Sequence, residues 1–82
     1  MNEQIGQIVR STQERTQGRI VELQVRKLQN GYRPEWSLDG GNNWNSLLTL
    51  NHDPDTALLK ASSGAFIAIV HQNAMKRMNE DG

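Results

Sequence analysis

The chain has no cysteine, only two prolines, a single tyrosine and a single phenylalanine, and no long hydrophobic run. Without cysteine it has neither a disulfide nor a cysteine-ligated metal site. No window approaches the ~18 consecutive apolar residues that predict a transmembrane helix. Residues 1–11 lack the basic and apolar regions of a signal peptide. We therefore expect a cytoplasmic protein, in the host cytoplasm if a virus or mobile element carries it.

The 82 residues predict one domain, residues 1–82. A chain of this length buries only about 60–65% of its unfolded surface. Hydrophobic residues make up 35% of the chain, and the two tryptophans and the aliphatic residues argue against disorder. Assembly into a homo-oligomer is one way for so small a core to gain stability.

The net charge is zero, so we do not expect non-specific DNA binding. The charge is uneven, however: residues 1–33 hold six cations against three anions, and residues 34–82 hold three against six. A molecule polarised in this way attracts an anionic ligand or its own copy. The alternative is an ordinary solvated surface of mixed charge.

A β-hairpin is predicted between residues 19 and 38. Residues 19–29 alternate apolar and polar side chains, which is typical of a half-buried strand. Asn30-Gly31 follows and favours a type I′ turn, because both residues tolerate positive φ. Residues 32–38 form the second strand.

The two-residue turn fixes a register that can be checked. It places Val25 opposite Trp36 on one face and Arg26 opposite Glu35 on the other. Pro34 lacks an N–H, so its nitrogen is expected at an edge or outside the paired register.

The rest of the sheet is less regular in sequence. Residues 1–11 fit either a short helix or an edge strand, and residues 11–18 are polar and predict a loop. A third strand is predicted near residues 44–50. Together these segments predict an antiparallel meander of three strands over residues 19–50, or of four if the N-terminal segment, residues 1–18, adds an edge strand.

A helix is predicted over residues 53–78, completing an α+β fold. Asp53 is a good N-cap with Pro54 behind it, and Lys76 and Arg77 suit the C-terminal end. One apolar stripe is expected to cover the sheet. It comprises Leu58, Leu59, Ser62, Ala65, Phe66, Ile69 and Val70. Replacing Phe66 with Ala is then expected to cost roughly 3–5 kcal/mol.

A second apolar patch predicts the oligomer interface. Its residues fall outside the stripe on a helical wheel and are Ile67, Ala68, Met75 and Met78. Gly64 lies beside them, where its lack of a side chain allows another backbone to approach. A two-fold contact buries the same patch on both copies.

Residues 37–44 carry a recognisable motif. Ser37, Asp39, Gly41 and Trp44 match the pattern S-x-D-x-G-x-T-W, with Asn43 where threonine is usual. The segment resembles the Asp-box of sialidases, a peripheral hairpin turn in which the aspartate bonds turn amides and the tryptophan packs. The chain is too short for their propeller fold. The resemblance implies a structural hairpin turn and no sugar chemistry.

No catalytic or metal-binding pattern is found. His52, Asp53 and Asp55 have ligand side chains, but helix capping accounts for the aspartates. Ser62, His71 and Asp53 contain the three groups of a nucleophile triad, yet no G-x-S-x-G turn presents the serine. We expect no enzyme activity, metal or cofactor.

Arginines and aromatic residues concentrate in the first half of the chain. Arginine suits phosphates and carboxylates, and aromatic rings stack on bases. The predicted ligand site comprises Arg19, Arg26, Tyr32, Arg33, Trp36 and Trp44. The alternative is that the two tryptophans belong to the core and that Arg26 pairs with Glu35.

These observations predict a non-enzymatic, homo-oligomeric binding protein for an anionic small molecule. In size and class the chain resembles small phage-borne anti-defence proteins, some of which sequester nucleotide signals while others block a nuclease complex directly. That resemblance implies a nucleotide ligand. The alternative is an inhibitor or adaptor that masks a partner protein through its helix or sheet surface.

Overall fold

The protein has the α+β fold that its sequence predicts. The computed structural model describes residues 4–81, with the side chains of residues 4–79. Four antiparallel strands form one sheet in the order β1-β2-β3-β4, followed by a single helix. The elements are β1 (Ile8–Thr16), β2 (Arg19–Leu28), β3 (Gly31–Ser37), β4 (Asn45–Ser46) and α1 (Pro54–Asp81).

Strand β1 forms one edge of the sheet. Of the two alternatives for residues 1–11, a short helix or an edge strand, the structure shows a strand from Ile8. Residues 1–3 lie outside the described part of the chain. The loop predicted over residues 11–18 is wrong, because the strand runs to Thr16. An edge strand tolerates this polar sequence since much of its surface faces water. The turn is Gln17-Gly18, with φ of 51° and 75°, the positive pair that a type I′ hairpin needs.

The register predicted for the second hairpin is wrong. Leu28 pairs with Gly31, and Val25 lies opposite Pro34 rather than Trp36. The error is two positions along β3, so each side chain still points to its predicted face. The alternation of apolar and polar residues therefore predicted correctly which face of the sheet each side chain occupies. The Asn30-Gly31 turn predicted the wrong pairing partners between β2 and β3.

Gly31 belongs to strand β3 rather than to the turn. Its φ is 156°, and a Cβ there would stand 2.8 Å from the carbonyl oxygen of Asn51. Asn51 exchanges two backbone hydrogen bonds with the neighbouring Tyr32, of 2.9 and 3.0 Å. The glycine is thus required for the close approach of another segment, which the local sequence does not reveal.

Pro34 lies at a gap in the pairing on the β4 side, as its missing N–H requires. Its nitrogen faces the same side as that of Tyr32, two residues earlier, which bonds Asn51. Strand β4 pairs only at Ser46 and Asn45. The strand predicted near residues 44–50 is therefore reduced to two residues and one isolated bridge.

The N-terminus of α1 is capped as predicted. The backbone N–H of Thr56 donates to Asp53 Oδ1 at 2.8 Å, and the Thr56 hydroxyl donates to Oδ2 at 2.7 Å. These bonds, the hydroxyl's first, lower the pKa of Asp53 below its ordinary 3.8. The helix continues to Asp81, so Lys76 and Arg77 lie before its last turn rather than within it.

The helix side that covers the sheet is only part of the predicted stripe, since Leu58, Ala65 and Ile69 pack on the sheet as predicted. The core joins Val21, Leu23 and Trp36 of the sheet to Ala61, Ala65 and Ile69 of α1, with Ala57 also buried. Of the predicted stripe, Leu59 is 70% exposed, Phe66 44% and Val70 43%. The helix is therefore rotated so that small residues face the sheet.

Trp36 explains this rotation. Its indole ring extends from β3 and packs against Gly64 of α1. A Cβ atom at position 64 would lie only 2.6 Å from the ring. A bulky ring on the sheet requires small residues on the helix for dense packing. Gly64 therefore provides space for Trp36, and its predicted role beside an oligomer interface is wrong.

Candidate functional site

The predicted ligand residues lie on both faces of the sheet. Arg26 and Arg33 lie opposite each other on the face away from α1. The predicted pairing of Arg26 directly across from Glu35 is wrong, but the ion pair exists diagonally, with Nε 3.3 Å from Oε2. Arg33 Nη2 lies 2.6 Å from the same oxygen. Two arginines thus converge on one carboxylate.

Glu35 is almost enclosed by these partners, with 5% of its surface exposed. Burial alone raises the pKa of its carboxyl, but hydrogen bonds from Gln24 and Arg33 and the charge of Arg26 outweigh it, so the pKa is lowered. Gln24 Nε2 donates to Oε1 at 2.6 Å. Arg26 Nε and Arg33 Nε and Nη2 are therefore directed at Glu35. Arg26 Nη1 donates to the carbonyl oxygen of Gly6 at 2.7 Å.

The remaining members of the predicted ligand site are separated from that pair. Arg19 donates to Gln72 Oε1 at 2.9 Å, on the helix side of the sheet. Trp36 is 8% exposed within the core, whereas Trp44 is 40% exposed. The Lys27 ammonium lies 4.5 Å from the centroid of the Tyr32 ring. A single chain does not bring the six predicted ligand residues together.

The 37–44 turn is held by its own side chains. The buried Ser37 hydroxyl donates to Asp39 Oδ1 at 2.7 Å and accepts from the Gly41 N–H at 2.9 Å. Asn43 donates to Asp39 through its side chain at 2.7 Å and its backbone at 2.9 Å. Bonds from Asn43 and Ser37 lower the pKa of Asp39 to about 2. The carboxylate therefore stabilises the turn and has few free acceptor sites.

The side chains that suggested catalysis or metal binding are not assembled into a site. Within residues 4–79, no three His, Asp or Glu side chains are placed to hold a metal ion. The Ser62 hydroxyl donates to Glu14 at 2.5 Å. His71 is nine residues further along α1, about two and a half turns, and so lies on the opposite side of the helix. The described residues form neither the triad nor a metal centre.

Several large apolar side chains are exposed on the side of α1 that points away from the sheet, called here the outward face. It consists of Leu59, Phe66, Ile67, Val70 and Met78. Ile67 is 64% exposed and Met78 is 67% exposed. Leu59, Phe66 and Val70 are also exposed, as described for the predicted stripe. Large apolar side chains thus occupy one side of the helix, and small ones pack the sheet on the other.

Only part of the predicted interface patch lies on the outward face. Ile67 and Met78 belong to it. Ala68 is half-buried on the sheet side. Met75 is eighteen residues after Ala57, about five turns, and so lies on the same line as that buried residue. It is nevertheless 47% exposed, about one turn beyond Gln72, which accepts a hydrogen bond from Arg19 of the sheet.

The outward face could have been found from the spacing of small residues. Ala57, Ala61 and Ala65 recur every four positions, with Gly64 beside them. Such a line of small residues marks close packing when the opposing surface carries a large ring. The larger residues then face outward.

An open groove of ≈ 480 Å³ runs between β1 and α1. It is lined by Glu14, Arg15, Thr16, Ser62, Ser63, Phe66 and Ile67. Arg15 is the one arginine in this lining, and Phe66 the one aromatic residue. The groove therefore differs from the predicted arginine and aromatic site. Two of its lining residues, Phe66 and Ile67, belong to the outward face.

No helix in residues 4–81 is both long and apolar enough to span a bilayer. Comparison of the sequence and fold with models of protein families, with curated proteins and with solved structures finds no match.

Proposed function

We propose that the protein is a non-enzymatic interaction module that packs the outward face of α1 against another protein chain. The observation that carries this proposal is the exposure of Leu59, Phe66, Ile67, Val70 and Met78 on one side of a single helix. Single exposed apolar residues are ordinary, whereas a contiguous group of large ones marks an interaction surface.

The helix composition supports the same proposal. A helix that covers a sheet and is otherwise solvated has one apolar side and one polar side. Here the sheet side carries small apolar residues, and the outward side carries five large apolar residues with Ser63 and Arg77 between them. That distribution is typical of a helix that is buried between two layers. From Leu59 to Met78 the face is about 28 Å long at 1.5 Å per residue, enough for a helix-sized partner.

Sequestration of an anionic nucleotide has less support in a single chain. Arg26 and Arg33 donate to Glu35, and Trp36 fills the core. A nucleotide would have to displace the Glu35 carboxylate from its two arginines before they bound phosphate. We therefore favour the protein-masking alternative, in which the module covers part of a partner protein's surface.

Site-specific photocrosslinking tests the proposal. A benzophenone amino acid replaces Phe66 in one version and Ile20 in a matched control. Ile20 is 55% exposed and apolar, but lies on β2 next to Val21, which faces the helix, and so points to the opposite side of the sheet.

In cells that make the protein at native levels, position 66 should give discrete crosslinked bands and position 20 should give few. Mass spectrometry then identifies the crosslinked chain and the peptide that faces position 66. Equal, diffuse labelling from both positions would contradict the proposed use of the outward face.

A further inference from the structure

We infer that the part of the outward face formed by Leu59, Phe66 and Val70 is covered by a second copy of this protein, bound antiparallel about a two-fold axis at Phe66. This inference rests on the proposed function and names the partner. It is carried by the positions of two charged residues, Asp55 and Arg77, relative to Phe66.

Asp55 and Arg77 are placed symmetrically about Phe66. Each lies eleven residues from it, one toward each end of α1. Eleven residues make about three helical turns, so all three side chains share one side of the helix within ~20°. The charges lie about 16 Å from the phenylalanine along the axis. Both are exposed, and the Asp55 side chain is 80% accessible.

A two-fold axis at Phe66 makes this arrangement self-complementary. In an antiparallel pair, Asp55 of one copy meets the partner's Arg77, and the same contact recurs at the other end. A parallel pair in register would instead place aspartate beside aspartate and arginine beside arginine, and like charges oppose association. The charges therefore favour one orientation of a second copy.

The residues between the charges suit the same orientation. At the axis, Phe66 meets its own copy, and paired aromatic rings attract beyond their buried area. Val70, four residues after Phe66, faces the partner's Ser62, which lies four residues before it. The small serine leaves space for the valine. Leu59 faces the partner's Asn73 and neighbouring Ala74.

Strand β1 borders this contact, because Ser62 donates to Glu14 and Asp55 pairs with Arg10. Phe66 nevertheless remains 44% exposed. The outward face lies away from the line of Ala57, Ala61, Ala65 and Ile69 that packs on the sheet. Two helices can therefore pack back to back, with each sheet on the outer side. The dimer would have four layers, sheet, helix, helix and sheet, and each helix would lie between two layers as its composition favours.

Charge exchange between the two positions tests both the partner and its orientation. Sedimentation equilibrium of the full chain should give twice the 9.3 kDa chain mass, with dissociation on dilution. Asp55→Arg alone and Arg77→Asp alone should each weaken the dimer about tenfold or more, since each replaces two attractive contacts with two repulsive ones. The double exchange should restore wild-type association.

Two controls keep the result specific. Lys76→Asp makes the same charge change one position away, and about 100° around the helix, so it should leave the dimer unchanged. Circular dichroism confirms that each variant remains folded. Asp55→Arg needs this check most, because Asp55 also binds Arg10 at 3.1 Å near the helix N-terminus.

Each outcome distinguishes this inference from the proposed function. A monomeric wild type whose position 66 crosslinks to a different protein would overturn the second copy and leave the proposed function standing. A dimer that the single exchanges leave intact would overturn the antiparallel contact at Phe66. A monomer without specific crosslinks from position 66 would overturn both.

Discussion

Gly64 of the helix lies directly against the indole ring of Trp36. A Cβ at Gly64 would stand 2.6 Å from Cζ3 and 2.7 Å from Cη2 of that ring. Carbon atoms at such distances overlap, so no other residue fits without movement of the helix or the ring. This contact fixes which side of α1 faces the sheet, and hence which residues face outward.

Gly64→Ala should destabilise the protein, although alanine is the better helix former by about 1 kcal/mol. The added methyl group overlaps a ring that is itself buried, and overpacking of this kind typically costs about 1–3 kcal/mol. Urea denaturation measures the change. Ser63→Ala, one position away and exposed, should be neutral or slightly stabilising. A gain in stability for Gly64→Ala would contradict the packing against Trp36.

Ile69→Ala and Phe66→Ala should differ in their effect on the stability of the protomer. Ile69 is fully buried, so its truncation should cost about 2–5 kcal/mol. Phe66 is 44% exposed, so its truncation should cost roughly 1 kcal/mol or less in the monomer. Thermal melts at the lowest practical concentration separate folding from association. Equal losses would support the stripe predicted from sequence instead.

Glu35→Gln should destabilise the sheet. The substitution keeps the shape of the side chain but leaves the charges of Arg26 and Arg33 without their anion. We expect a loss of about 1–3 kcal/mol, less than for a fully buried pair, because both arginines are about one-third exposed. Glu22→Gln, in β2 and on the same face of the sheet as Glu35, should change stability by less than about 0.5 kcal/mol. Urea denaturation of both variants measures the difference.

The stability of the wild type should fall in acid partly because of Glu35. Its pKa is lowered in the folded protein from the ordinary 4.5. The folded state therefore binds fewer protons than the unfolded state, and the contribution is complete above pH 4.5 and lost as the pH falls through the folded pKa. The Glu35→Gln variant should lose less stability over this interval. Identical pH profiles would show that Glu35 carries no such linkage.

Asn43→Ala should raise the pKa of Asp39 from about 2 toward its ordinary 3.8. The side chain of Asn43 gives the strongest of the bonds that favour the charged carboxylate. An NMR titration of the carboxyl carbon measures the pKa directly. Asn42→Ala is the matched control, since the Asn42 side chain donates to the backbone carbonyl of Asp39 and not to its carboxylate. A pKa unchanged by Asn43→Ala would show that other bonds hold the charge.

The sequence by itself determined the features that depend on neighbouring residues. The alternation of Val21, Leu23 and Val25 identified the inner face of β2. The Asp53 cap located the start of α1 to within a residue. Both signals are local: a strand repeats every two residues, and a cap needs only the adjacent turn of helix.

Tertiary structure decided the features that depend on distant residues. Gly31 lies in a strand because Asn51 packs on it. The turn is therefore Gln29-Asn30, one residue earlier than the predicted Asn30-Gly31. Arg26 and Arg33, both predicted ligand residues, share Glu35 as their anion. Arg26 pairs with Arg33 across β2 and β3, and Glu35 lies two residues after Arg33 on the same face of the sheet.

The rotation of α1 is the clearest case. A helical wheel ranks residues by hydrophobicity and therefore placed Phe66 and Val70 inside. The shape of the opposing surface decides the outcome, and Trp36 admits only small residues such as Gly64 and Ala65. Because packing density depends on both surfaces at once, the sequence of the helix alone does not determine which of its two apolar sides covers the sheet.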